Sequence, residues 1–516
     1  MPFTDRTDGT IFYVKKTTTD LFEASTGKDL QTELLWGDRV RLLRKSDGSF
    51  RVENGRHRAR ARGQYGWVKK SDLGTQALLE LYFIDVGQGD GVLIRTPNGR
   101  HVLIDGGWPR KSQPTGKNAS DFVDWKFVKD YESDAVELDA MICSHNDQDH
   151  YGGLWDLLDP NQLNGGSKQE LDADSVFVET FYHAGLSWWK KGSDRTLSTP
   201  VETNVGKLYT QLLDDRQSIV DGLKTNASPK LQGEWASFLR KVRDAKTKSG
   251  SSTPAQRLSH VTGTVPGFSG GTTGSVPEPT IHVLAPVEFD VDGDPAIRHF
   301  SGGTSKNTNG NSVLLRLDCG DVRVLLTGDL NTKSQDSLLK DYVGEEDVFE
   351  CDVAKACHHG SGDVSYTFLE TMEPQVTVIS SGDSEGHDHP RPEIVAASAM
   401  SGHKKVVGDK LVTPLIFSTE LARSVNLGRI DKVHHLDAQG DPTTEADPAR
   451  LEATTKVIKS GDRSPSTVKR TLKNRRLMTS AVYGLINIRT DGKTILCAAL
   501  NEKSSTWNVT ELTPKP

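Results

Sequence analysis

The chain has 516 residues, enough for two or three domains and a large core. Hydrophobic residues make up 35% of it, mean hydropathy is −0.51, and no apolar stretch approaches membrane-spanning length, which argues against an integral membrane protein. The net charge of −7 argues against a globally basic nucleic-acid-binding protein, so a nucleic-acid partner would need a local basic patch.

The cysteines and the N-terminus indicate the compartment. The five cysteines are an odd number, and four of them lie in apolar stretches typical of buried, reduced thiols: Cys143, Cys319, Cys357 and Cys497. The first ten residues, MPFTDRTDGT, contain neither a basic n-region nor an apolar h-region. We therefore expect a cytoplasmic protein.

Residues from about 10 to 75 form a series of short β segments. A Gly37-Asp38 turn, a valine-containing strand and a closing Gly66-Trp67-Val68 resemble bacterial SH3-like barrels. The resemblance implies an all-β docking module, over residues 1–76, for a peptide, a wall polymer or another protein subunit. Three aromatic residues either fill its core or line a ligand groove: Trp36, Tyr65 and Trp67.

Two apolar strands further along end in Asp and Gly, where a backbone can approach a site closely. The first ends at Ile84-Asp85, and the second ends at Ile104-Asp105. The turn Pro97-Asn98-Gly99 precedes the second strand, which predicts a hairpin.

The densest group of polar side chains follows the apolar run Leu138–Cys143, which we interpret as a buried strand. Four potential metal ligands lie within six positions: His145, Asp147, Asp149 and His150. A loop leaving the carboxyl end of a strand is a usual place for an active site in layered α/β folds. Imidazole and carboxylate ligands suit zinc and its neighbours, so the segment predicts a metal site.

Several segments in the same chain order carry a family resemblance. They are FIDVGQGD (83–90), LIDGG (103–107), SHNDQDHYGG (144–153), LLTGD (325–329), HHGS (358–361) and HDHP (387–390). Together they resemble the metallo-β-lactamase fold, and within it the competence-type branch of DNA-internalisation proteins and related phosphodiesterases. In that branch Asp replaces the usual second His of the motif, and that residue here is Asp147.

The resemblance implies a ligand set for two divalent ions, with Zn²⁺ expected first and Mn²⁺ as a competitor because Asp147 makes the site harder. His145 and Asp147 would bind one ion, Asp149 and His150 the other, and Asp329 would bridge them. His183 is either a further ligand or a core histidine. The HHGS pair would supply the last ligand, for which we favour His359.

Other residues are expected to assist the reaction. The predicted catalytic set includes Asp149, bound to metal, and His358, which either contacts the substrate or supports the metal ligands. His389 either contacts the phosphate or leaving group or is a turn histidine held by Pro390. Lys355 either offsets charge in the transition state or faces solvent. Three aspartates are expected to orient the ligating histidines: Asp85, Asp90 and Asp105.

An insertion occupies roughly residues 187–278. Helical spacing runs from Gly206 to Lys248 with a break near Asn226–Pro229, and the Gly/Ser/Thr-rich run Ser249–Ser275 predicts a mobile loop. The insertion either caps the site or decorates the surface. Its first residues, Trp188 to Lys191, either stack a base and hold a phosphate or belong to the core and rim.

After about residue 400 the family motifs stop. The segment Lys456–Arg476 contains eight Lys or Arg and one Asp, which fits either a nucleic-acid backbone contact or a solvated element. The last stretch predicts a hairpin turning at Asp491-Gly492 that returns to the core sheet. We therefore divide the chain after the N-terminal module into a hydrolase domain (77–400) and a C-terminal extension (401–516).

The predicted fold class is α/β, a metallo-β-lactamase αβ/βα four-layer sandwich behind a small all-β SH3-like barrel. The expected function is metal-dependent hydrolysis of phosphodiesters, with DNA or RNA as substrate and a bridging water activated by the two ions. Two alternatives stay open. One is a hydrolase of small or wall-linked substrates, such as a phosphocholine ester, lactone or lactam, and the other is a scaffold that binds through the SH3-like module.

Overall fold

A computed structural model of the protein describes residues 9–45, 47–113, 115–382, 389–419, 428–429, 432–439, 441–457, 466–471, 476–477, 484–501 and 504–516. Within these ranges no helix is both long enough and apolar enough to cross a membrane.

The N-terminal part is a single antiparallel sheet of eight strands. The strands are β1 (Gly9–Val14), β2 (Thr18–Phe22), β3 (Leu30–Leu35), β4 (Arg39–Leu43), β5 (Val52–Glu53), β6 (Arg56–Ala61), β7 (Gln64–Lys69) and β8 (Leu73–Gly74). They pair in the order β3-β2-β7-β6-β4-β1-β8, with β5 on β6. The predicted all-β character is present, and the SH3-like identity stays a prediction. The buried side chains in the core of this sheet are aliphatic. Trp36 packs outside this core, against the C-terminal strands Ile495–Asn501 and Thr506–Leu512, and Tyr65 is 48% exposed.

The main domain continues with β9 (Leu79–Phe83), β10 (Val92–Arg95), β11 (His101–Ile104), α1 (Ala119–Trp125), β12 (Ala135–Leu138), β13 (Ala140–Cys143), α2 (Gln148–Leu157), β14 (Ser175–Val178) and β15 (Phe181–His183). The insertion contains β16 (Trp189–Lys191), β17 (Asp194–Thr196), β18 (Val201–Thr203), β19 (Gly206–Tyr209), α3 (Arg216–Gly222), α4 (Gly233–Asp244), β20 (Ala255–Arg257), β21 (Thr264–Ser269), β22 (Thr272–Thr273) and β23 (Val276–Pro277).

The second half contains β24 (Thr280–Ala285), β25 (Glu288–Val291), β26 (Asp294–Arg298), α5 (Thr304–Gly310), β27 (Leu314–Cys319), β28 (Val322–Leu326), α6 (Thr332–Asp341), β29 (Val353–Lys355), α7 (Tyr366–Met372), β30 (Val376–Ile379) and α8 (Pro392–Ser401). The C-terminal extension contains β31 (Lys405–Val407), β32 (Lys410–Thr413), β33 (Leu415–Ser418), β34 (Gly428–Arg429), β35 (Val433–Leu436), β36 (Pro442–Ala446), β37 (Glu452–Val457), β38 (Ser466–Thr471), β39 (Arg476–Leu477), β40 (Ile486–Thr490), β41 (Ile495–Asn501) and β42 (Thr506–Leu512).

Two large sheets form the centre of the main domain. Sheet A has the strand order β20-β15-β13-β11-β10-β9-β40-β41-β42, and sheet B has the order β21-β24-β27-β28-β29-β30-β33. In each sheet one run of strands is parallel: β11, β13, β15 and β20 in sheet A, and β28, β29, β30 and β33 in sheet B. Strands β9, β10, β11 and β13 are buried along their whole length, as expected for strands covered on both faces.

Three apolar cores place the sheets between helices. One core joins the two sheets face to face, with Leu81 and Ile94 of sheet A against Leu317 and Val353 of sheet B in the same cluster. A second core packs the outer face of sheet A against α1, α2 and α4. A third core packs the outer face of sheet B against α6 and α7. The resulting order is helix, sheet, sheet, helix, and the predicted α/β class is confirmed.

The insertion differs from its prediction in two parts. The segment predicted to be helical begins as strand β19 (Gly206–Tyr209), and helices α3 and α4 follow it with a break between them, as expected. The predicted mobile loop Ser249–Ser275 contains β20 and β21, which extend an edge of sheet A and an edge of sheet B. Buried Val265 and Phe268 anchor β21 in the core between the sheets. Because these two apolar residues stand apart in a Gly- and Thr-rich stretch, the sequence shows no apolar pattern that would predict the strand.

The end of the chain returns to the core as predicted. β40 pairs antiparallel with β9, and β41 pairs with both β40 and β42.

Trp188 and Trp189 are buried in the core beneath sheet A, so the core interpretation of this pair is confirmed. The basic segment Lys456–Arg476 falls largely outside the described residues, which include from it parts of β37 and β38 and the first residue of β39.

A buried ion pair joins the N-terminal sheet to the returning hairpin. Arg489 of β40 lies 2.7 Å from Asp38, and these side chains are 1% and 4% exposed. Arg489 also donates to the carbonyl oxygen of Trp36 at 2.6 Å. Burial opposes ionisation of Asp38 most strongly, yet Arg489 and other cations hold the pKa of Asp38 below its usual value.

Replacing Asp38 by Asn should destabilise the protein by about 3 kcal/mol, because the variant leaves the Arg489 guanidinium buried with a weaker partner. Urea denaturation followed by circular dichroism measures the loss. Glu202→Gln, which breaks the exposed pair with Lys207, is the matched control and should change stability by no more than about 0.5 kcal/mol. Equal stabilities for the two variants would contradict the role assigned to the buried pair.

Candidate metal centre

The predicted ligands converge where the two sheets meet. Asp105 follows β11 and His145 follows β13 in sheet A, while Asp329 follows β28 and His358 follows β29 in sheet B. These four strands belong to the parallel runs, so their carboxyl ends lie at one edge of each sheet. This is the edge at which layered α/β folds usually place a site.

Helix α2 positions the second half of the histidine motif. Asp147 is its extended N-cap, and Asp149 and His150 lie in its first turn, so the segment predicted as a loop is half helical. The following glycines allow the close approach of α2 to the loop after β11. A Cβ atom at Gly153 would lie 2.1 Å from the carbonyl oxygen of Gly106.

Asp329 is the centre of the cluster. Its Oδ2 lies 3.2 Å from Nε2 of His150, 3.1 Å from Nε2 of His359 and 3.7 Å from Nε2 of His358. Asp149 is adjacent, with its Oδ2 3.7 Å from Nε2 of His359. Four residues offer ligand atoms within 4.8 Å of one another: Asp90, His150, Asp329 and His359.

A second pair of predicted ligands stands beside this cluster. Nε2 of His145 is 3.8 Å from Oδ2 of Asp147, and the rings of His145 and His150 are 4.0 Å apart. The structure thus brings together six of the seven predicted metal ligands: His145, Asp147, Asp149, His150, Asp329 and His359.

Each of the three buried histidines has a partner at Nδ1. Asp105 lies 2.8 Å from Nδ1 of His150, and the hydroxyl of Ser144 lies 3.1 Å from Nδ1 of His145. Nδ1 of His359 lies 3.2 Å from Oδ1 of Asp90. A partner at Nδ1 fixes the ring and leaves Nε2 for a metal, which is the role expected of Asp90 and Asp105. The third aspartate expected to orient a histidine, Asp85, accepts a hydrogen bond from the backbone of Gly87.

The donor set fits divalent cations. Nε2 of His145, His150 and His359 and Oδ1 of Asp329 are buried, and none makes a hydrogen bond within the described part of the chain. A buried polar atom without a partner is costly unless something else binds it. Neutral imidazole and carboxylate are the ligands that zinc and manganese accept.

The pKa shifts at the site show that its carboxylates favour positive charge on neighbouring groups. Burial disfavours the charged form of His359 most, yet Asp329 and Asp90 raise the pKa of His359 to about 10. Asp329 and Asp105 likewise hold the pKa of His150 well above its usual value against burial. Burial and the neighbouring Asp149 raise the pKa of Asp147 to about 7. Protons therefore neutralise this site, and a metal ion would displace them.

Lys355 is buried behind the cluster. Its ammonium contacts Asp90, donates to the carbonyl oxygen of Gly328 at 2.8 Å and lies 3.7 Å from Oδ1 of Asp329. The Lys355 side chain is 3% exposed, so the solvent-facing alternative is wrong. Its contacts make it a counter-ion for the carboxylates rather than an open substrate contact.

His183 lies outside the four-residue cluster. It ends β15, its Nδ1 accepts a hydrogen bond from the backbone of Gly185 at 3.1 Å, and its ring stacks on Phe181. Burial first, and then Arg257, lower the pKa of His183 to about 3. Its Nε2 is buried without a hydrogen-bond partner among the described residues, so the ligand and the core interpretation of His183 both stay predictions.

The histidine pair of the HHGS segment adopts an unusual backbone. His358 and His359 have φ of 48° and 54°, in the left-handed region that costs non-glycine residues energy and is enriched at functional sites. His359 is buried while His358 is 24% exposed. His389 also lies here, its ring 5.7 Å from that of His358 and 6.3 Å from that of His359.

The sequence analysis missed three polar side chains at the site. Gln88 donates to Oδ2 of Asp149 at 3.0 Å, and Thr308 donates to Oδ2 of Asp147 at 3.0 Å. Asn309 reaches both Asp147 and His358. Gln88 was inside the quoted FIDVGQGD segment, but α5, which carries the other two, has no motif of its own in a single sequence.

No protein-family model matches the chain. ComE operon protein 3 of Bacillus subtilis (strain 168) is 22% identical over 327 residues, which are 61% of this chain and 30% of that protein. Competence protein ComA of Neisseria gonorrhoeae is 39% identical over 83 residues, 16% of this chain and 12% of that protein. These matches confirm the resemblance to competence-type proteins, and the chain spans less than a third of the length of either.

Among solved structures, that of Tm1679, a metal-dependent hydrolase of the beta-lactamase superfamily, is similar over 66% of this chain and 95% of its own length. The sequences are 10% identical and the TM-score is 0.29. At that score the likeness supports no conclusion about the fold, which rests instead on the sheets and cores of this chain.

Replacing Asp329 by Asn should abolish tight metal binding, because Asp329 contacts three histidines of the site and its charge cannot be supplied by an amide. Metal content after Zn²⁺ loading and desalting, measured by mass spectrometry at pH 7.5, checks this. Asp336→Asn on the exposed face of α6 is the matched control and should retain the full content. Full metal content in the Asp329 variant would refute the ligand assignment.

Replacing His183 by Gln should leave the metal content unchanged and flatten the pH dependence of stability. The pKa of His183 is about 3 in the folded protein and about 6.5 in the unfolded chain. The contribution of His183 to the free energy of unfolding is therefore complete above pH 6.5 and is lost as pH falls towards 3. The variant should lower this slope by up to about 1.4 kcal/mol per pH unit. Denaturation between pH 4 and 7 measures it, with exposed His434→Gln as the control; loss of metal would instead identify His183 as a ligand.

Proposed function

We propose that the protein is a metal-dependent hydrolase that cleaves phosphodiester bonds at a site for two divalent ions. The observation that carries the proposal is the buried cluster around Asp329, in which three histidine Nε2 atoms and Oδ1 of Asp329 have no hydrogen-bond partner in the described structure; the histidines are His145, His150 and His359. A structural role for so many unpaired polar atoms would be unfavourable.

The charge balance supports two ions. The site contains one ammonium, that of Lys355, and five carboxylates: Asp90, Asp105, Asp147, Asp149 and Asp329. With all five carboxylates ionised and the histidines neutral, four negative charges are left. Two divalent cations carry the compensating charge. Asp329 would contact both, because its Oδ2 faces Nε2 of His150 and of His359 while its Oδ1 is buried without a hydrogen-bond partner in the described structure.

The ligand assignment follows the contacts. His145 and Asp147 would hold one ion, Asp149, His150 and His359 the other, and Asp329 both. When bound, such ions supply Lewis-acid stabilisation and activate water at neutral pH. Asp105 and Asp90 hold His150 and His359 in the tautomer that leaves Nε2 free, and Lys355 limits the repulsion between Asp90 and Asp329.

Nucleic acid is the substrate class that we propose, because the competence-type resemblance implies DNA and one of the two relatives is named as a competence protein. The groove beside α2 adds little attraction for a polyanion. An open groove of about 820 Å³ beside α2 is lined by three cations, Arg110, Lys111 and Lys168, and by three carboxylates, Asp156, Asp159 and Glu170. Recognition of phosphate is therefore assigned to the bound ions, and binding should depend on them.

The N-terminal sheet remains a proposed docking module for a protein partner. Its exposed Tyr65, over which the guanidinium of Arg60 lies 5.3 Å from the ring centroid, is the aromatic side chain available there. The reaction itself needs no residue of this sheet.

Protein loaded with Mn²⁺ or Zn²⁺ should cleave plasmid DNA, single-stranded DNA or RNA, and also bis(p-nitrophenyl) phosphate. The Asp149→Ala, Asp329→Ala double variant should lose activity by about 10³-fold or more, because both changes remove ligands from the site. Asp336→Asn is the control for unrelated loss of charge. Cleavage of the small diester without any nucleic acid would refute the nuclease part, and no cleavage at all by metal-loaded protein would refute the hydrolase.

A further inference from the structure

The side chain of Asn309 connects a proposed metal ligand to the exposed histidine of the HHGS pair. Asn309 is 4% exposed, on the last turn of α5. One end of its amide faces Asp147, and the other lies 3.3 Å from Nε2 of His358.

The surroundings determine which way the amide points. The end that faces Asp147 is 2.9 Å from Oδ2 of that residue and 3.0 Å from the carbonyl oxygen of Ser305. A backbone carbonyl can only accept a hydrogen bond, so this end must be the NH₂ group. The amide oxygen then faces Nε2 of His358, and an oxygen can only accept.

This orientation fixes the tautomer of His358. Because the amide oxygen of Asn309 accepts from Nε2, that nitrogen carries the proton and has no lone pair for a metal. His359 has the opposite arrangement. Its Nδ1 lies 3.2 Å from both Oδ1 of Asp90 and the carbonyl oxygen of Ser380, which places the proton on Nδ1 and leaves Nε2 free.

We propose that Asn309 is a positioning residue that keeps the proton of His358 on Nε2, so that His359 alone of the pair is a metal ligand. This rests on the proposed function and adds the division of roles within the histidine pair. Exposure agrees with it, since the His358 side chain is 24% exposed, whereas that of His359 is 1% exposed and faces the cluster.

The hydrogen bond to Asn309 matters because Nε2 of His358 lies close to the proposed metal centre. Nε2 is 3.7 Å from Oδ2 of Asp329, so in the Nδ1–H tautomer its lone pair would be available to a metal ion held by Asp329. The single N–H at Nε2 is instead donated to the amide oxygen of Asn309. Asn309 thereby keeps His358 out of the ligand set.

Metal content and ¹⁵N-histidine NMR of the Zn²⁺-loaded protein test the assignment without any substrate. His358→Gln should retain the metal content of the wild type, and His359→Gln should lose at least one of the bound ions. The resonances that disappear in His358→Gln identify His358, which should show a protonated Nε2 and an unprotonated Nδ1. A metal-coordinated Nε2 on His358, or loss of metal in His358→Gln, would overturn the proposal.

Asn309→Ala should shift the His358 resonances towards a mixture of tautomers, because no amide oxygen then holds the proton on Nε2. Asn307→Ala is the matched control. Asn307 lies on the same helix, where its amide bonds to the backbone of Phe300 and Gly303, so its loss weakens α5 without touching His358.

The control separates the amide from the helix. A His358 tautomer that changes only in Asn309→Ala supports the proposal, and an equal change in both variants, or none in either, overturns it. The spectra and metal contents stand even if no phosphodiester is cleaved, so failure of the proposed function can be told apart from failure of this inference.

Discussion

Repulsion between buried carboxylates is the constraint on which this structure depends. Asp149 and Asp329 approach the same histidine nitrogen atoms, and Asp90 lies on the other side of His359. Two like charges about 4 Å apart repel by about 4 kcal/mol near a protein surface, and by more inside. The fold tolerates this density only because cations, protons or metal ions occupy the spaces between the carboxylates, and because large apolar cores hold both sheets in place.

Both halves of the chain contribute side chains to this site. Sheet A supplies the histidine motif and Asp105, sheet B supplies Asp329, Lys355 and the histidine pair, and the core between the sheets sets the distance between them. The end of the chain completes sheet A through β40, whose Arg489 ties it to the N-terminal sheet. The site is therefore assembled by residues far apart in sequence. A change in the packing of either sheet would alter the distances between the proposed metal ligands.

The sequence alone predicted the parts that local chemistry determines. Histidines and aspartates at ligand spacing after an apolar strand identified four residues, the family resemblance added Asp329 and His359, and the fold brings all six together. The antiparallel return followed from the Asp491-Gly492 turn. The structured β20 and β21 were missed because composition averages over the few buried side chains that anchor a strand. His183 was a candidate because its position in the chain lies between the motifs, and chain order does not determine where a strand end points.

Asn309 shows why the missing part of the site could not be read from spacing. An amide has no charge and no metal preference that would mark it in a sequence, and its role depends on which acceptors surround it after folding. The Ser305 carbonyl decides the direction of the amide, and the amide then decides the proton on His358. Two adjacent histidines in the same left-handed backbone conformation therefore acquire opposite tautomers from their surroundings, and with them different roles at one site.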